Sequence, residues 1–159
     1  MNEFVMEQGL HVLRLVEAHP RLFRGKPPRT SCHVPTGWFV IVDKMFQDIN
    51  AVLDEAEAAQ FQIIQIKEKF GGLRVCQDWE FQGWGYWRPL EDPPLPGLHQ
   101  GFERLFLIIE DAIRRAEQTC LRCGNPGSLR MIKGWHAPLC AAHAENPEQE
   151  MSCNSKRSG

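Results

Sequence analysis

Four potential metal ligands towards the C-terminal end constrain the fold of this chain most strongly. They form two pairs, Cys120-x2-Cys123 and Cys140-x2-His143, separated by sixteen residues. Zinc binds thiolate sulfur and imidazole nitrogen in tetrahedral sets of four, and a two-residue gap lets both members of a pair reach one ion. Gly124 supplies the positive φ angle that a zinc knuckle needs after its first pair. The pattern predicts one structural Zn²⁺ with protein atoms in every coordination position.

The residues between the two pairs predict the rest of a small zinc finger. Residues 128–131 and 136–139 have the character of two short strands that turn near Lys133-Gly134, and Cys140 to His143 suit the first turn of a helix. Knuckle, hairpin and helix in this order are typical of a treble-clef or zinc-ribbon finger over about 119–145. His136 and Cys153 are alternative ligands, although neither has a partner at the spacing of a pair.

Composition and charge narrow the class of protein. Hydrophobic residues make up 43% of the chain, yet no apolar run approaches the length of a membrane span. The grouped cysteines and the acidic N-terminal residues favour a reducing cytoplasm over secretion. The net charge of −2 is small, and the stretch 119–159 carries only five basic and three acidic residues. We therefore do not expect a dedicated nucleic-acid-binding protein.

Hydrophobic periodicity predicts an α+β domain over residues 1–118. We expect helices over about 2–19, 36–59 and 100–119, and a β-hairpin over about 61–77 that turns at Gly71-Gly72. An aromatic and proline-rich loop is predicted over 79–100, and a flexible tail over 146–159. The helices should pack on a small antiparallel sheet, with the finger docked at the end of the third helix.

Basic residues suggest one kind of binding site. An anion, nucleotide or nucleic-acid site is a hypothesis for a loop and for the finger, through Arg21, Arg24, Lys26, Arg29, Arg122, Arg130 and Lys133. The alternative is that these side chains are solvated and keep the surface soluble. Lys67 to Arg74, with glycines at its centre, fits a charged hairpin better than a phosphate loop.

Acidic and aromatic residues suggest a second kind of site. A protein partner could contact the acidic face of the second helix and the aromatic loop, through Asp43, Asp54, Glu57, Trp84, Tyr86 and Trp87. Alternatively, the acidic residues are an ordinary solvated helix face, and the aromatic rings stack nucleobases or complete a small core.

Catalytic signatures are missing from the sequence. His11, His19, His33 and His99 are scattered, and neither an HExxH nor a G-x-S-x-G motif occurs. Hydrolysis at the zinc would need a coordinated water, for which four protein ligands leave no position. We therefore do not expect an enzyme.

Several segments together resemble a known group of proteins. These segments are Thr36-Gly-Trp38, Gln65 to Arg74, Thr119 to Gly124, Gly134-Trp135 and Leu139 to His143. Their combination resembles a family of small, uncharacterised zinc-finger-like proteins of bacteria, phages and other mobile elements. The likeness spans about 36–143, and residues 79–96 depart from it in length and aromatic content. It implies no known activity, but it implies a setting in which small cytoplasmic proteins counter host defences.

These observations favour a non-catalytic, zinc-containing protein of the bacterial cytoplasm. We expect it to act by protein–protein interaction, with a component of a host defence or regulatory complex as its target. The alternative is a nucleic-acid-binding or nucleotide-binding protein that uses the basic loop and the finger. Membrane association is not expected.

Overall fold

A computed structural model of the chain describes residues 3–24, 32–81, 84–89 and 100–146. The architecture is α+β, as the sequence predicts: helices pack on a small antiparallel sheet, and a finger-like segment with its own hairpin follows. The elements are α1 (Glu3–Ala18), α2 (Pro20–Phe23), a 3₁₀ helix (Thr36–Trp38), α3 (Phe39–Val52), α4 (Glu55–Gln60), β1 (Phe61–Lys69), β2 (Gly72–Phe81), β3 (Trp84–Pro89), α5 (Gln100–Glu117), β4 (Ser128–Ile132), β5 (Trp135–Leu139) and α6 (Ala141–Glu145).

The main core forms where α3 and α5 meet the inner face of the sheet. Apolar residues recur along α3 at helical spacing, and Phe46 and Ile49 are completely buried. Leu105 and Ile109 of α5 are buried in the same cluster, together with Ile66 of β1. The charged residues of α5 lie on its opposite, exposed side.

The sheet has the order β1-β2-β3, with both neighbouring pairs antiparallel. Its register shifts between Ile63 and Gln65. Strict alternation would send Ile63 and Ile66 to opposite faces, but the extra residue of this bulge allows both side chains to point into the core. The two consecutive isoleucines at positions 63 and 64, which break the alternation in the sequence, lie at this bulge.

The single helix predicted over 36–59 is wrong in detail, because the structure divides it. Thr36–Trp38 form a 3₁₀ turn, and α3 ends at Val52 because Leu53 adopts an extended conformation. Asp54 then starts α4 with a capping box: its carboxylate accepts a hydrogen bond from the Glu57 amide, and the Glu57 carboxylate accepts one from the Asp54 amide. Asp54 and Glu57 are spaced as on the exposed face of a continuous helix, so their spacing alone does not identify Asp54 as the start of a new helix.

The loop predicted over 79–100 is also wrong in its first half. β2 continues to Phe81, and Trp84–Pro89 form β3, so the chain adds a third strand to the sheet. Aromatic residues favour strands, and this preference outweighs the glycines that suggested a loop. Residues 90–99 lie outside the described part of the chain, as does the predicted flexible tail beyond Asn146.

Arg21 fastens α2 to the junction between α3 and α4. Its guanidinium donates hydrogen bonds to the carbonyl oxygens of Asn50 at 3.2 Å, Leu53 at 3.0 Å and Asp54 at 2.8 Å. Carbonyls at the C-terminal end of a helix have no intrahelical partner, so these bonds stabilise the point where α3 stops.

Replacing Arg21 tests this role. We expect Arg21→Met to lower the free energy of unfolding by about 1–2 kcal/mol, because buried carbonyls lose charged donors. Glu55→Gln is the matched control, since it removes the 3.7 Å ion pair between Arg21 and a fully exposed carboxylate, and such pairs contribute little. Urea unfolding monitored by circular dichroism measures both changes. Equal stability of the two variants would contradict the assignment.

Candidate metal centre

The first two ligands lie on a tight turn directly after α5. The Gly124 amide donates to the Cys120 carbonyl oxygen at 2.9 Å, which closes the turn around the Cys120–Cys123 pair. Gly124 has a φ angle of +77°, the left-handed conformation predicted for the knuckle glycine. The Cys120 amide donates to the Asn125 carbonyl oxygen at 2.8 Å, so the backbone holds both thiols on one side of the turn.

The other two ligands lie at the start of α6. β4 and β5 pair in antiparallel register and turn at Lys133-Gly134, as the sequence predicts. β5 ends directly before Cys140, which is the N-cap residue of α6, and His143 lies within the first turn of that helix. The Leu121 amide donates to the Pro138 carbonyl oxygen at 3.0 Å and so ties the knuckle to β5.

The four ligand atoms of Cys120, Cys123, Cys140 and His143 all lie within 4.8 Å of one another. The Nδ1 atom of His143 is 3.4 Å from the Cys120 Sγ atom and 3.3 Å from the Cys140 Sγ atom. The Sγ atoms of Cys123 and Cys140 are 3.8 Å apart. A zinc tetrahedron with bonds of about 2.3 Å to sulfur and 2.0 Å to nitrogen has edges of about 3.8 Å and 3.5 Å. The donor set therefore fits a single metal ion.

The environment of His143 favours the form that binds metal. Burial of the imidazole lowers the pKa of His143 below its ordinary value of 6.5, and the positive charge of Arg122 lowers it further. At neutral pH the ring is therefore neutral, as coordination requires.

The predicted substitutes do not join this cluster. His136 lies on β5 with an exposed side chain, and Cys153 is outside the described residues. Cys32 is buried in the main core, where its Sγ atom contacts the backbone of Ile64 and Ile66. Cys76 lies on β2 opposite Gln65.

The backbone of the zinc knuckle contacts the residues directly before α3. The Gly37 amide donates to the Leu121 carbonyl oxygen at 2.9 Å, and the indole of the fully buried Trp38 donates to the Thr119 carbonyl oxygen at 3.0 Å. A Cβ atom on Gly37 would lie 2.0 Å from the Cys120 carbonyl oxygen and 2.6 Å from the Gly124 amide nitrogen. Only glycine fits at this position, so the backbone of the metal site and the backbone before α3 are in direct contact.

The structure separates the basic residues that the sequence singled out. Arg21 and Arg24 lie at α2, where Arg21 holds the α3–α4 junction and Arg24 donates to the Phe61 carbonyl oxygen at 3.1 Å. Lys26 and Arg29 are outside the described residues. Arg122 is on the knuckle, and the exposed Arg130 and Lys133 are on the finger hairpin formed by β4 and β5.

The predicted partner-binding residues are distributed over three elements. Asp43 of α3 contacts the His19 imidazole at 2.7 Å and accepts a hydrogen bond from Gln47 at 2.8 Å. Asp54 and Glu57 cap α4. Trp84, Tyr86 and Trp87 lie on β3, paired with the end of β2.

The sequence interpretation missed a set of large apolar side chains that stay exposed. Four of them lie on the two hairpin segments of the described chain: Phe70, Leu129, Met131 and Trp135. The signals in the sequence are the Phe70-Gly71-Gly72 segment and the Gly134-Trp135 pair, each of which places a large apolar residue next to a turn glycine.

Comparisons with known proteins assign no relative to the chain. No family model matches it. Neither the curated proteins nor the solved structures give a match. Within the described residues, no helix combines the length and the apolar character needed to cross a membrane.

Removing one ligand tests the metal site. We expect Cys123→Ser to purify without stoichiometric metal and to lose amide protection throughout residues 119–146, because structural metal sites contribute about 10 kcal/mol or more to folding. Cys76→Ser is the matched control, since this thiol lies outside the cluster and should leave one metal ion per chain. Elemental analysis and hydrogen exchange give the two readouts. Full metal content in Cys123→Ser would contradict the ligand assignment.

The contact at Gly37 gives a second test. We expect Gly37→Ala to destabilise the protein by about 1–3 kcal/mol, because the added methyl group overlaps backbone atoms that cannot move aside independently. Gly9→Ala is the control: nothing lies within 4 Å of a Cβ atom at this position in α1, so alanine should stabilise that helix by about 0.5–1 kcal/mol. Thermal unfolding would show opposite shifts. A neutral Gly37→Ala variant would disprove the close contact.

Proposed function

We propose that the protein is a zinc-stabilised binding module that acts by contacting another protein and does not catalyse a reaction. The Cys3His donor set supports zinc, because soft thiolates with one imidazole are a common structural zinc site. Four protein ligands complete a tetrahedron, so a bound zinc ion has no open position at which to activate water. Its role in this proposal is to hold the finger hairpin in a fixed shape.

The observation that carries the binding role is the set of large apolar side chains that the finger hairpin exposes, with Leu129 and Met131 on one face and Trp135 on the other. Leu129, Met131 and Trp135 have exposed fractions of 56%, 68% and 76%. Aromatic residues and methionine are enriched in protein–protein interfaces, and large exposed apolar groups on a rigid element are typical of a contact site. A metal-held hairpin presents such groups with little loss of conformational entropy on binding.

The biological setting of the proposal comes from the sequence resemblance. It implies a phage or mobile-element protein that acts in the bacterial cytoplasm on a host defence or regulatory complex. These points stay predictions. The finger hairpin replaces the acidic residues of α3 and α4 as the foremost candidate contact, because Asp43, Asp54 and Glu57 already have partners within the fold.

One observation favours the alternative of nucleic-acid binding. Trp135 and Arg130 lie on the same face of the finger hairpin, since Trp135 pairs with Ile132, two residues from Arg130. An exposed indole beside a guanidinium is a suitable platform for stacking a base. Binding of this kind weakens steeply as salt rises, whereas apolar protein contacts do not.

A pair of double variants tests the proposed function. We expect Met131→Ser/Trp135→Ser to lose the proteins that the wild-type chain captures reproducibly from a bacterial lysate, by at least about tenfold in quantitative mass spectrometry. Val40→Ser/Leu107→Ser is the control, because it removes equally exposed apolar groups from α3 and α5. Both variants should keep their metal and their melting temperature.

Two results would contradict the proposal. One is capture that both double variants leave unchanged. The other is capture that nuclease treatment abolishes, which would favour the nucleic-acid alternative.

A further inference from the structure

The turn of the β1–β2 hairpin contacts the strands of the finger hairpin. β1 and β2 are joined by Phe70-Gly71, with φ angles of 54° and 80°, and β4 and β5 are joined by Lys133-Gly134, with φ angles of 49° and 81°. A Cβ atom on Gly71 would lie 2.5 Å from the Leu129 Cδ1 atom and 3.1 Å from the His136 carbonyl group. The turn of the first hairpin therefore lies directly against the finger hairpin.

Phenylalanine at position 70 is unfavourable for the backbone conformation of this turn. Two-residue turns with two positive φ angles favour asparagine, aspartate or glycine at the first position, and a bulky aromatic residue there is strained. The Phe70 ring is 73% exposed, so burial of its own surface offsets little of that strain. Its ring contact is the Lys69 ammonium group, 5.3 Å from the ring centroid. Strained residues that add nothing to the core are concentrated at functional sites.

Phe70 extends the apolar area of the finger hairpin. Leu129 and Met131 are alternate residues of β4 and project from one face, and His136, the cross-strand partner of Met131, belongs to the same face. Because the Leu129 Cδ1 atom lies next to Gly71, this face of the finger hairpin adjoins the Phe70-Gly71 turn. We call Phe70, Leu129 and Met131 the two-hairpin surface.

Positive charge surrounds this surface. Residues 67–74 and 128–139 contain five cationic side chains, of which Arg130 projects from the opposite face of the finger hairpin, and one carboxylate, that of Glu68. Glu68 is engaged in the turn, where its Oε1 atom accepts a hydrogen bond from the Gly71 amide at 2.6 Å. Lys67 lies directly opposite Arg74 in the sheet, so two cationic side chains share one face of the hairpin.

We infer that the two-hairpin surface binds an acidic segment of a partner protein in which Asp and Glu alternate with large apolar residues. The inference rests on the proposed function and adds the place and the chemistry of the contact. Apolar side chains of the partner pack on Phe70, Leu129 and Met131, and its carboxylates face Lys67, Lys69 and Lys133. Of the three residues only Phe70 offers a planar face to a nucleobase, whereas Leu129 and Met131 offer flexible aliphatic groups, so the surface fits a peptide better than a nucleic acid.

A displayed library of random twelve-residue peptides, selected on the full-length zinc-loaded protein, tests this inference. We expect the recovered peptides to be rich in Asp and Glu interspersed with Leu, Phe or Trp. Synthetic copies should bind in a fluorescence-polarisation assay, and Phe70→Asn and Met131→Ser should each weaken their binding at least about tenfold. Leu107→Ser, a change at an equally exposed residue of α5, should not alter it.

Phe70→Asn is the sharpest variant because its effects on folding and binding should have opposite signs. Asparagine suits the positive φ angle, so the melting temperature should stay equal or rise while binding falls. A merely structural role for Phe70 predicts loss of both.

The possible failures can be told apart. Enrichment of neutral or basic peptides, or acidic peptides that bind Phe70→Asn and Met131→Ser as well as wild type, would overturn this inference and leave the proposed function standing. Selection of no peptide above background would count against both. Tight binding of a fifteen-residue oligothymidine that the same variants abolish would overturn the inference in favour of single-stranded nucleic acid.

Discussion

The convergence of three thiols and one imidazole is the interaction on which the C-terminal part of the structure depends. In the described part of this segment, the buried members of the apolar cluster are Cys120, Leu139 and Cys140, two of which are themselves candidate ligands, and the residues packed around them, such as Leu121 and Ile132, are only partly buried. So few buried groups cannot offset the conformational entropy of ordering nearly thirty residues. A metal ion bound by the four donor atoms, which lie within 4.8 Å of one another, would supply the missing stabilisation.

The metal site also affects the main domain, because the two share a backbone contact. Gly37 and Trp38 hydrogen-bond to the segment that carries Cys120, and Leu121 packs against both apolar clusters. Loss of metal should therefore loosen the start of α3 as well as the finger. The same rigidity holds the finger hairpin against the Phe70-Gly71 turn, where Phe70 and Leu129 are both exposed.

The sequence predicts the features that depend on local spacing. Two Cys/His pairs, a knuckle glycine and the periodicity of α3 and α5 are sufficient for the donor set and for the main helices. It does not separate α3 from α4, because Asp54 and Glu57 fit an acidic helix face as well as a capping box. It also misses β3, where glycines among aromatic residues indicated a loop. In both places a local signal supports two structures, and tertiary packing decides between them.

Contacts between distant residues are the other part that the sequence does not give. Trp38 and Thr119 are 81 positions apart, yet one hydrogen bond joins them. Likewise, the need for glycine at positions 37 and 71 follows from atoms of other segments that approach them. Several of the motifs behind the family resemblance thus meet in space: Thr36-Gly-Trp38 at the knuckle, and the Phe70-Gly71 turn at the finger hairpin. Their combination has a structural reason that spacing alone does not reveal.

X-ray absorption spectroscopy at the zinc edge, on protein purified without added metal, shows directly whether Cys120, Cys123, Cys140 and His143 bind one zinc ion. We expect a zinc ion with three sulfur neighbours at about 2.3 Å and one nitrogen neighbour at about 2.0 Å. A coordination shell with additional light atoms in place of sulfur, or a sample that contains no zinc, would contradict it.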